Sequence, residues 1–128
     1  MTINERANKA AELKGSGACN CCQAVTKVLA DTVDVSESDL LKMASGFAAG
    51  MGCMEATCGA LIGANMILGL RTNGEGTVRH SRELLAKFRQ KCGAVTCKDL
   101  KGAGTGKVLC ECNDCVRNAV LSLGEIIG

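Results

Sequence analysis

The chain has 128 residues, 47% of them hydrophobic, enough for one domain with its own core and too few for two. Its net charge of +2 comes from lysines and arginines interspersed with acids, leaving no basic stripe for nucleic acid and no acidic tail. Ten cysteines, no proline and only two aromatic residues, Phe47 and Phe88, leave one question: whether the thiols pack, pair as disulfides, hold metal or carry redox chemistry.

The opening stretch, MTINERANKAAELKG, is polar and lacks the apolar core of a secretion signal, so the expected compartment is the cytoplasm. Residues 1–17 read as an N-terminal segment of the same domain as a Cys-rich helical region, 18–128. With no proline and few aromatic residues to build strands, glycine clusters divide the chain into pieces of helical length. The first helix is expected near Ala18–Val33. The second is expected near Glu37–Ala48, where Ser36 can cap it and Asp39 takes the capping-box position. The third spans about Glu55–Leu70; its longest apolar run, Ala56–Leu70, is too short for a membrane span and reads as a buried helix. The fourth runs from about Thr77 to Lys91, a short turn lies around Cys97–Lys101, and the last helix covers about Cys110–Ile127. The fold class is therefore all-α, a compact bundle of four to five helices with Gly-rich connections.

Periodicity places the thiols on faces. In the last helix the stripe Val116, Ala119, Val120, Leu123, Ile127 extends back to Cys112 and Cys115, which should both point inward. In the first helix Val25, Val28 and Leu29 lead back to Cys21 and Cys22, with Cys19 nearer the rim. Leu84, Leu85 and Phe88 lead forward to Cys92, and Cys58 shares a face with Leu61, Ile62 and Asn65. Thiols from four or more segments thus converge inside the bundle, mostly near helix ends. Gly59 and Gly63, with Ala60 and Ala64, form a seam of small residues that lets a helix or cofactor approach the backbone.

A single buried cysteine is most simply a small hydrophobe, but ten in one chain exceed that explanation. Two CxxC pairs, Cys19/Cys22 and Cys112/Cys115, with Cys110 two residues earlier, carry the arithmetic of a zinc or iron–sulfur site. Neither pair is followed by His, which excludes covalent c-type haem attachment. GAGTGKV at Gly102–Val108 lacks the spacing and the hydroxyl of a phosphate loop and reads as a plain loop. His80, in a charged stretch, is expected exposed. Asn65 is expected to hydrogen-bond a neighbouring helix from an apolar face, and Met43, Met51, Met54 and Met66 to fill core gaps.

Five blocks in order resemble a known family: NCCQAV at Asn20–Val25, SGFAAGMG at Ser45–Gly52, TCGALIGANMILGL at Thr57–Leu70, KFRQKCGAVTCKDL at Lys87–Leu100 and CNDCVRNAV at Cys112–Val120. They resemble the C_GCAxxG_C_C family of redox-active proteins, over about Ala18–Ile127. A related domain occurs in split-Soret cytochromes, whose haem motif is absent here. The resemblance implies a helical domain common in anaerobic bacteria and archaea, with a redox or metal role. It puts the family's cysteines on Cys21, Cys58, Cys97 and Cys112. Cys53 and Cys115 join them as candidate metal ligands, Cys53 as a supplementary ligand or a resolving thiol. Cys19, Cys22, Cys92 and Cys110 remain extra.

The expected function is binding of an iron–sulfur cluster through inward-facing thiolates, in electron transfer or redox sensing. Two alternatives stay open. One is metal-free thiol–disulfide chemistry at Cys19/Cys22, Cys112/Cys115 or Cys53/Cys58; the other is a structural zinc domain. Whether the chain is an enzyme is left open. A redox partner protein is expected, with no nucleic acid and no membrane among the partners, and a homodimer is left open.

Overall fold

The structure, a computed structural model, describes residues 1–127. Among them it forms seven α-helices: α1 (Ile3–Gly15), α2 (Cys21–Leu29), α3 (Glu37–Ala44), α4 (Gly59–Arg71), α5 (Thr77–Cys92), α6 (Cys97–Lys101) and α7 (Cys112–Ile127). The all-helical class holds and no strand forms among the described residues, but the helices outnumber the expected four to five. The additions are α1, which lies within the segment 1–17, and one-turn α6, where a turn was expected.

Helix α1 starts at Thr2, whose hydroxyl accepts from the Glu5 amide while the Glu5 carboxylate accepts from the Thr2 amide. Its inner face is mostly alanine, with Ala7, Ala10 and Ala11 buried, and it packs chiefly along α7. The absence of a side chain at Gly124 makes that approach close: a Cβ there would run into Ile3. Arg6 ties α1 to the end of α2 by donating to the Val28 carbonyl and to Asp31, both at 2.5 Å.

Boundaries moved where caps compete with periodicity. Helix α2 begins at Cys21 rather than Ala18 because Asn20 caps it: its side chain accepts from the Gln23 amide and the Gln23 side chain accepts from the Asn20 amide. Helix α3 starts after Ser36, whose hydroxyl accepts from the Asp39 amide, and stops at Ala44, four residues early. Helix α4 begins only at Gly59, because residues 56–58 are extended and paired antiparallel with 95–97. Cys58 donates its amide to the Val95 carbonyl at 2.7 Å and Cys97 donates to the Ala56 carbonyl at 3.0 Å, which sets the two cysteines side by side.

The core is built from Leu29, Leu40, Ile67, Leu68, Leu84, Phe88, Leu100, Val116, Val120 and Leu123, all fully enclosed. Helices α2 and α4 meet closely at Gly63, where a Cβ would fall 2.9 Å from the Cys22 carbonyl oxygen and 3.3 Å from its sulfur. None of the four methionines expected in the core is buried there: Met43 and Met51 are exposed, and Met54 and Met66 are half-buried. Cys19, expected at the rim, is buried. Asn65 is exposed, yet it does bond the neighbouring helix, accepting from the Ser81 hydroxyl of α5. His80 is half-buried rather than exposed, with its Nδ1 enclosed. None of the described helices is long and apolar enough to cross a membrane.

Candidate metal and redox centre

Four helices begin at one cavity, and each carries a cysteine at its start. Cys21 is the first residue of α2, Cys97 the first of α6 and Cys112 the first of α7, while Cys58 occupies the cap position of α4. All four line a cavity of about 140 Å³, together with Cys110 and Cys115 and with the aliphatic or amino groups of Lys14, Leu100 and Lys101. Helix starts present unpaired amides and the positive end of the backbone dipole, so this arrangement favours negative charge on the sulfurs. Ordinary helix chemistry produces the convergence: the Asn20 cap fixes Cys21, and the 56–58/95–97 pairing fixes Cys58 beside Cys97.

The wall between α3 and α4 is unusual backbone. Ala49, Met51 and Met54 have φ of 50°, 62° and 64°, alternating with the left-handed Gly50 and Gly52. Each such non-glycine residue costs about 1 kcal/mol. Two cavity features depend on this turn. Ala48 and Ala49 line the cavity, with the Ala49 amide acting on the Cys21 sulfur, and Gly50 lies so close to Cys97 that a Cβ would come within 2.7 Å of the Cys97 Cβ. Gly59 plays the same part for Cys21: a Cβ there would sit 2.6 Å from the Cys21 sulfur and 2.5 Å from the Phe47 carbonyl oxygen.

The thiols differ in acidity for identifiable reasons. The neighbouring Cys115 thiol brings Cys58 down to about 7, helped by the amides of Ala60 and Leu61 in the first turn of α4 and opposed by burial. Burial pushes Cys21 up, reinforced by the neighbouring Cys58 and opposed by the amides of Ala49 and Cys22. Burial also raises Cys97, against the attraction of Lys101. Lys101 loses some of its charge preference to burial, but facing Cys112, Cys97 and Cys21 leaves its ammonium raised. Cys58 is thus drawn toward the thiolate while burial holds Cys21 and Cys97 toward the thiol, and Lys14 and Lys101 line the same cavity.

One further sulfur, that of Cys92, meets two of those lining the cavity. The sulfurs of Cys92, Cys110 and Cys115 lie within 4.8 Å of one another and could hold a metal ion. Cys92 ends α5, Cys110 lies in the loop before α7 and Cys115 sits one turn into α7. The Cys115 thiol donates to the Cys110 carbonyl at 3.6 Å and, beside Cys58 and Cys92, is held protonated by them. Cys92 is correspondingly drawn down to about 6 by Cys115 and by Asn118, while burial pushes Cys110 up to about 12. Cys110 and Cys115 thus belong both to the cavity wall and to the triad.

Of the six cysteines singled out from sequence, Cys21, Cys58, Cys97, Cys112 and Cys115 line the cavity and Cys53 does not. Cys53 is exposed on the left-handed turn, its thiol donating to the Gly50 carbonyl at 3.7 Å. Cys22 points away toward Met66 and is pushed up to about 12 by burial. Cys92 and Cys110, set aside as extra, join Cys115. The stripe of α5 and the Cys110-x-Cys112 spacing were the available signals, but neither said that the two would meet. Lys101 had no sequence signal at all.

No curated protein and no solved structure matches the chain. The family model described as "Putative redox-active protein (C_GCAxxG_C_C)" matches residues 19–126, a span that holds all ten cysteines. The chain belongs to the C_GCAxxG_C_C family of redox-active proteins.

Proposed function

We propose that the protein is a small redox carrier or sensor that holds an iron–sulfur cluster on Cys21, Cys58, Cys97 and Cys112. The observation that carries this reading is the shared cavity: four thiols from four helix starts, with no carboxylate or imidazole among its lining residues and the Asn20 side-chain oxygen already taken by the Gln23 amide. Such a soft, all-thiolate donor set suits iron–sulfur chemistry. When bound, a cluster supplies one-electron transfer at a potential set by its surroundings. The chain's own residues do the rest. The amides of Ala60 and Leu61 favour the Cys58 thiolate, the Ala49 amide favours that of Cys21, and Lys101 offsets negative charge at Cys112 and Cys97. Leu100 and Ala48 keep the lining largely apolar. A reducing compartment, the cytoplasm, keeps such thiols unpaired, and electrons pass to or from a separate redox partner protein.

Protein purified without oxygen tests the reading through its iron and acid-labile sulfide. Iron and sulfide in comparable amounts are expected. Zinc alone, with no sulfide after reconstitution, returns the chain to a structural zinc domain. No metal, with a free-thiol count that changes on mild reduction, selects thiol–disulfide chemistry, for which the contact between Cys58 and Cys115 offers a pair.

A further inference from the structure

We infer that Cys92, Cys110 and Cys115 form a second site, separate from the cavity quartet, that takes a thiophilic closed-shell cation of the zinc class. It rests on the cluster reading only in leaving Cys58 to the quartet, and two of its sulfurs, those of Cys110 and Cys115, also touch the cavity.

The three sulfurs are mutually within 4.8 Å, and a zinc–sulfur bond of about 2.3 Å requires ligand sulfurs roughly 4 Å apart, so modest contraction closes the site. They come from three places in the chain: the end of α5, the loop after α6 and the second turn of α7. Asn118, one turn beyond Cys115, donates its side-chain amide to the Cys92 sulfur at 3.4 Å and toward the Cys110 sulfur at 3.9 Å. Donors aimed at sulfur orient ligands around a metal and stabilise thiolates. Simple packing has no use for them.

The group also has its own door. A surface recess lined by Lys91, Val108, Leu109, Glu111, Asp114 and Asn118 reaches Cys110, which the cavity touches as well. Asp114 there is ion-paired with Arg117 and Lys91 with Glu125, which leaves the Glu111 carboxylate to attract an entering cation. Three thiolates leave a fourth position on the ion. Cys58 neighbours Cys115 but belongs to the quartet, so the fourth position falls to solvent from the recess. On binding, the ion displaces the thiol protons still present, which leave to water, with no change in oxidation state.

The test incubates the full chain with Zn²⁺ under anaerobic conditions, removes loosely held ions and measures zinc beside iron; Co²⁺ then reports the ligand type. About one zinc per chain is expected, and cobalt should show thiolate-to-metal charge transfer. Cys92→Ser should lower zinc affinity by more than about 100-fold with iron and sulfide unchanged, and Asn118→Ala by about tenfold. If Cys92→Ser does not fold, Asn118→Ala carries the same reading. A triple variant, Cys21→Ser with Cys97→Ser and Cys112→Ser, should lose iron yet keep zinc, which separates the fates of the two sites. Zinc binding that Cys92→Ser and Asn118→Ala leave unchanged, or cobalt spectra without thiolate bands, would overturn the second site. Loss of zinc from a folded triple variant would overturn its independence.

Discussion

At the residue scale a cysteine's role here follows from where its helix begins. Cys21, Cys58, Cys97 and Cys112 face one cavity because each stands at a helix start, whereas Cys19 is buried outside it, next to the end of α1. Serine differs from cysteine by one atom and is a poor soft ligand, so packing changes little while ligation is lost. Cys21→Ser, Cys58→Ser, Cys97→Ser and Cys112→Ser should each reduce iron by at least about tenfold, and Cys19→Ser should leave it nearly intact. Iron content of the purified folded variants checks this, and equal iron in all five would return the thiols to packing. Acidity supplies a second expectation, for the metal-free protein. Cys58 and Cys92 are lowered from 9.0 to about 7 and about 6, so their stabilisation is complete above pH 9 and is lost as pH falls through 7 and 6. Cys22 and Cys110, raised to about 12, act oppositely: the unfolded chain gains by ionising them above pH 9. Urea unfolding of reduced, chelated protein should therefore show stability rising from about pH 6 to 9 and falling beyond. A flat profile across that window would contradict the thiol network.

Elements meet at the cavity because glycines let them. A methyl group at position 59 would collide with the Cys21 sulfur and the Phe47 carbonyl, and one at position 63 with the Cys22 carbonyl. Gly59→Ala and Gly63→Ala should each destabilise by roughly 1–3 kcal/mol in denaturant unfolding. Only Gly59→Ala should also impair iron binding, since it displaces a ligand. Much of this scale was legible in the sequence. The seam of Gly59 and Gly63, the Ser36 cap and the inward stripes of α5 and α7 all correspond to observed packing. What escaped notice had weaker signals. The inner face of α1 is alanine, so its periodicity is faint, and only the Thr2/Glu5 box betrays it. The start of α4 was read too early, because its delay comes from pairing with residues 95–97, far away in the chain. The meeting of Cys92 with Cys110 and Cys115 has the same non-local origin. Turn geometry at Ala49–Met54 is invisible to hydrophobic pattern, although its glycines marked a break.

Over the whole molecule, the cavity lies where four helices start, so a metal bound there would tie α2, α4, α6 and α7 together. The enclosed core is aliphatic, with Phe88 its one aromatic residue, and several of its contacts are alanine or glycine. Bound metal contributes folding free energy when its ligands come from separate elements. Anaerobic chelation should accordingly lower Tm by well over ten degrees, and reconstitution should restore it; an unchanged transition after verified metal loss would place the metal outside the core. The same geometry makes the location of iron the most direct measurement. Crystals grown anaerobically and measured on both sides of the iron absorption edge should show an iron anomalous peak within bonding distance of Cys21, Cys58, Cys97 and Cys112. Iron found only at the Cys92, Cys110 and Cys115 sulfurs, or on the surface, would contradict a cluster held by the four helix starts.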